Sequence, residues 1–225
     1  MTKPKAIYAW HFLKDNGRTG EGNIKPPPDG VPLVHDGPLS ICSSGLHASV
    51  RLVDALGFAP GLVLTRVVCS RVGYTHSDKL VCGQRTILWR LDSRTTARVL
   101  RLWACWCVRN TKISGGRTTW DLLTDDRSRV AVVTAEQFAI GMATEEQLDA
   151  AWAAAGAAAR AAAWAAAGDA AWDAAWDAAW AAAGAAAGDA AGDAAWAAAG
   201  DAQTKRLHAY LTGQVDLEAI RKSLL

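Results

Sequence analysis

In the first ninety or so positions the apolar residues fall into short runs rich in β-branched and aromatic side chains. Gly, Pro and Asp separate them, the punctuation of strands joined by turns. Residues 5–12 predict a first strand, 39–42 a short one, 61–70 the best strand in the chain, and 79–91 one more. Residues 14–38, with Pro26, Pro27 and Pro28 inside, predict a long surface loop, and loops of that length often carry function. Ser49 is placed to N-cap a short helix over about 50–58.

After residue 92 the period changes. Val99, Leu102, Trp103, Trp106 and Cys107 fall at helical spacing, so a helix is predicted over roughly 94–109, capped by Asp92 or Ser93. Thr134 to Gln137 and Thr144 to Gln147 each place Thr three residues before Gln, the spacing of a capping box. Gly213 and Asp216 separate residues 203–212 from a last short helix at 217–224. Together these predict an α+β chain. A mixed domain spans 1–142, a repeat helix 143–202 and a short helical tail 203–225.

Composition sharpens the middle region. Residues 150–202 hold 34 Ala, six Gly, six Trp, six Asp and one Arg, a net charge of −5 in a chain of +2. At steps of four the tract reads Trp152, Gly156, Arg160, Trp164, Gly168, Trp172, Trp176, Trp180, Gly184, Gly188, Gly192, Trp196 and Gly200. Alanine favours a helix, and the six glycines weaken it by roughly 1 kcal/mol each. Four residues advance about 400° around a helix, so the stripe drifts about 40° per tetrad. A straight partner can therefore follow it for only a few tetrads. Reflection about residue 182 sets Trp180 against Gly184, Trp176 against Gly188, Trp172 against Gly192, Trp196 against Gly168 and Trp164 against Gly200. Each pair is large against small, which suits two antiparallel copies; docking on the N-terminal domain suits the same residues.

Charge and chemistry narrow the function classes. Residues 1–149 carry only +5 and the Trp-bearing tract is acidic, which argues against nucleic acid. Six aspartates interrupt the tract, which argues against a membrane span. No secretory signal is read at the start, and five cysteines, an odd number, suggest free thiols in a cytoplasmic setting. Cys105 and Cys107 send their sulfurs to different helix faces, and no metal site is expected. Cys42 or Ser49 beside His47 offers the material of a nucleophilic site, with no third orienting group in the sequence.

Two resemblances rest on Cys42-Ser43-Ser44-Gly45-Leu46-His47-Ala48-Ser49, with Asp78 to Val81 and Ile87 to Trp89. Over most of residues 5–110 the chain resembles an uncharacterised domain of actinobacterial phages and their hosts, often followed by an Ala-rich repeat. The order Gly-Leu-x-x-Ser, helix, strand also resembles the central part of the ADP-ribosyltransferase fold. That second resemblance implies NAD as cofactor, with His11 on an NAD-contacting strand and His47 and Ser49 near the nicotinamide. It also implies a catalytic Glu on a later strand, where residues 79–91 offer Gln84 and no Glu. The leading expectation is a non-enzymatic binding or assembly module that needs no cofactor and pairs with itself or with another protein. An NAD-using transferase and a virion component are the alternatives.

Overall fold

The computed structural model describes residues 6–112, 116–168 and 190–224. It is α+β, with antiparallel strands in the first half and helices in the second. Two compact units divide at Arg98 and Val99, well before the boundary read from the sequence.

The first unit is built on a sheet. Strands β1 (Ile7–Leu13), β4 (Val63–Thr75) and β5 (Leu80–Leu91) run antiparallel, β1 pairing β4 and β4 pairing β5. Two three-residue strands pair with β5 along its first half: β2 (Pro32–Val34) at residues 84–86, and β3 (Leu46–Ala48) at residues 80–82. Beyond β3, Trp10 and Ser49 exchange both backbone hydrogen bonds, 2.7 and 2.9 Å. That bridge joins β3 to β1, so β1, β4, β5 and β3 form a closed circuit of neighbours.

The alternation of a strand decides what this circuit encloses. Ala9 and Leu13 face one way and are fully buried with Val67, Cys69, Leu80 and Cys82. His11 lies between Ala9 and Leu13 on the same parity, so the sheet carries an imidazole to the edge of its core. Short helix α1 (Leu52–Leu56) buries Leu52 and Ala55.

Three expectations are corrected here. Residues 39–42 are not a strand. Ser40 pairs with Ser44 across a tight turn, which holds Cys42 at φ +66°. Ser49 is not an N-cap: its backbone is taken by Trp10, and α1 starts after Arg51 with no side-chain cap. The loop 14–38 contains β2, which the proline-rich composition concealed.

Helix α2 (Ser93–Asn110) starts at Asp92, whose carboxylate accepts from the Thr95 amide at 2.9 Å and hydroxyl at 2.8 Å. The second unit continues with α3 (Thr119–Leu122), α4 (Asp126–Ala139), α5 (Glu145–Gly168), α6 (Ala190–Leu211) and α7 (Leu217–Ser223). Cys105, Ala135 and Leu148 form a core there, with Val132 and Phe138 against it. The Thr144–Gln147 capping box is present, with reciprocal bonds of 2.8 and 3.3 Å. The Thr134 box is not: Thr134 is a buried position inside α4, whose cap is Asp125. No described helix is long and apolar enough to cross a membrane.

The expected interface residues fall largely elsewhere. Trp172, Trp176, Trp180, Gly184 and Gly188 lie outside the described residues. Trp164 falls in α5, and Gly192 and Trp196 in α6, described by backbone alone.

Candidate functional site

The first unit opens into a cleft of about 480 Å³. His11, His47 and Ser49 all line it, although 36 residues separate the first two in sequence. The closed circuit of strands is the reason. The Trp10–Ser49 bridge lays the end of β3 beside the middle of β1, and His47 follows two residues behind Ser49.

Each cleft residue is held by its neighbours. The His11 backbone carbonyl accepts from the Thr65 hydroxyl at 2.7 Å, while its ring Nδ1 is buried without a hydrogen-bond partner. Burial pushes the His11 pKa well below its ordinary value, helped by Arg85 and then His47, so the ring is neutral. The Cys42 amide donates to His47 Nε2 at 3.0 Å, which places the neutral ring's proton on Nδ1. Burial lowers the His47 pKa too; Arg85 and Lys79 add to that, and the Glu21 carboxylate opposes it.

Two cations belong to the same cleft. Arg85, in the middle of β5, is only 4% exposed, and its Nη1 donates to the His47 carbonyl. Burial lowers its pKa, but a guanidinium keeps its charge. Lys79 enters from the turn before β5, its ammonium 4.3 Å from the centre of the Phe58 ring. A hydrogen bond with the Cys42 side chain raises its pKa. Sequence reasoning missed both cations. An alternating strand gives no sign that Arg85 is buried, because burial comes from β2 and β3 both pairing with β5.

Glu21 was also missed. It sits on a short loop that Thr19 organises from a buried position: the Thr19 hydroxyl donates to the Glu21 carbonyl at 2.6 Å and accepts from the Ile24 amide at 2.9 Å. The loop so ordered belongs to the stretch 14–38, whose length suggests function.

Of the thiols, Cys42 is exposed and lines the cleft beside His47 and Lys79. Cys69 and Cys82 are fully buried and share a hydrogen bond that, with burial, pushes Cys69 up. Burial pushes Cys105 up to about 12. All five cysteines are free. Among the described residues no three His, Cys, Asp or Glu side chains group as metal ligands do. Phe58, half exposed, gives the cleft an aromatic surface. The cleft can therefore hold a flat ring against aromatic surface and direct donors and cations at polar groups.

No protein-family profile, curated protein or solved structure matches this chain.

Proposed function

We propose that the first unit is a ligand-binding module whose cleft takes a dinucleotide of the NAD class, and that the repeat region is an assembly element. The carrying observation is the meeting of His11, His47 and Ser49, from separate segments, in one cleft. These are the residues that the ADP-ribosyltransferase resemblance assigns to NAD. The donor set fits such a ligand. The two neutral imidazoles can lie against a cationic ring without adding charge repulsion, Phe58 suits a flat base, and Arg85 and Lys79 suit phosphates. NAD would supply a nicotinamide whose bond to ribose the ring's positive charge weakens. Strand β5 offers no carboxylate to drive transfer; its cleft residue is Arg85, so binding without transfer is the reading that fits.

Thermal denaturation in the presence of NAD tests this. The melting temperature is expected to rise saturably with NAD, the rise falling at least tenfold in affinity for His11→Leu. No rise at millimolar NAD would refute it. Chromatography of the same mixtures should show intact NAD; free nicotinamide would instead favour an enzyme, with the cleft's Glu21 the first residue to replace.

The assembly reading rests on the tetrad stripe and on Trp152, its first residue, which is 58% exposed on α5. A continuous helix through residues 169–189 belongs to this proposal. Sedimentation should show a concentration-dependent dimer; a monomer at all concentrations would leave docking within one chain or on another protein.

A further inference from the structure

Two of the packed arginines are matched by carboxylates. Arg109 holds Glu136 through two bonds of 3.0 and 2.9 Å, and Arg90 holds Asp29 at 2.6 Å. Arg85 differs from these two. It is more deeply buried than either, and among the described residues no carboxylate pairs with it. Its neighbours are the His47 carbonyl, the Cys69 and Cys82 thiols and the neutral His11 ring. The carbonyl orients the guanidinium and the thiols favour its charge less than burial opposes it, and an undercompensated buried charge is a heavy liability for a fold. The fold nevertheless opens a cleft onto it.

The rest of the cleft points the same way. Lys79 is a second cation in the lining. Burial lowers the pKa of both imidazoles, and Arg85 adds to it. The lining carboxylate, Glu21, acts on His47 and Lys79, not on Arg85. Ser49, buried at the bridge to Trp10, also lines the cleft.

We infer that Arg85 is the anchor for an anionic group of the ligand, a phosphoryl or carboxylate group that supplies the countercharge the protein withholds. The inference rests on the cleft being a binding site but not on the ligand being NAD. Arg85 sets what kind of ligand enters: neutral molecules leave the buried charge unanswered. A guanidinium's planar fork matches two oxygens of either group. With Lys79 as second cation, the phosphoryl form is the better match.

Calorimetric titration of the full chain in low-salt buffer tests it, with inorganic pyrophosphate as one probe and malonate as the other. Saturable binding of either to the parent, weakened at least tenfold in Arg85→Met and unchanged in Arg51→Met, supports the inference; the probe that binds identifies the group. Without ligand, Arg85→Met should melt no lower than the parent, because an unbalanced charge has gone. Should that variant not fold, Arg85→Lys keeps the charge without the fork, and severalfold weakening is expected. Binding of neither probe, or equal binding by parent and Arg85 variants, overturns the inference. The NAD reading fails separately: pyrophosphate bound through Arg85 with no NAD binding removes that reading alone. NAD bound equally by parent and Arg85→Met removes this inference alone.

Discussion

His11 is neutral because its environment makes a charged ring expensive, and that has a sign. In the unfolded chain the imidazole takes its proton at about 6.5; in the fold it resists until much lower pH. The unfolded state therefore binds more protons below that value, so stability is retained above pH 6.5 and lost as pH falls through it. The slope approaches about 1.4 kcal/mol per pH unit for this one group, with His47 adding in the same direction. Urea denaturation from pH 7 to 5 should show the loss, and His11→Leu should flatten it. In the second unit Arg109 lies 3.9 Å over the Trp120 ring and grips the nearly buried Glu136. Glu136→Ala leaves that guanidinium unbalanced, and unfolding free energy should fall by about 2–3 kcal/mol; a change under about 0.5 kcal/mol would count against the pairing. Residues of this kind were only half legible. His11, His47 and Ser49 stood out as polar residues among apolar ones. Arg85 and Glu136 did not, since nothing local distinguishes a buried charge from a solvated one.

At the scale of elements, the three long strands could be read from β-branched runs, and α2 from its apolar spacing. The short strands could not. β3 has three residues and is made by its partners, β5 on one side and the Trp10–Ser49 bridge beyond its end. Gly45 enters β3 at φ +117°, and a Cβ there would press into Val81 and within 3.0 Å of Leu39. Gly45→Ala should cost about 2–4 kcal/mol from strain and overpacking together, and should weaken ligand binding because it displaces His47. Caps were legible where they are strictly local, at Asp92 and Thr144. Thr134 carried the same signal, but α4 begins earlier at Asp125, whose carboxylate accepts from the Arg127 amide at 2.8 Å, and the longer helix absorbed it. Asp125→Ala should lower stability by about 1 kcal/mol, and Thr134→Ala should show no cap-like loss in helix content by circular dichroism.

Over the whole chain, the division between the two compact units falls within the residues of α2 and not at a linker. A sequence read by composition puts the boundary where the alanine tract begins, because composition records the repeat and not the packing of α4 against α5. The most direct test of the NAD reading of the cleft is nuclear magnetic resonance of the histidine side chains during titration with NAD. The imidazole signals of His11 and His47 should move together with one dissociation constant, while His76, paired with Asp78 at 2.9 Å away from the cleft, stays still. Signals of His11 and His47 that do not move, or that follow different dissociation constants, would contradict the account.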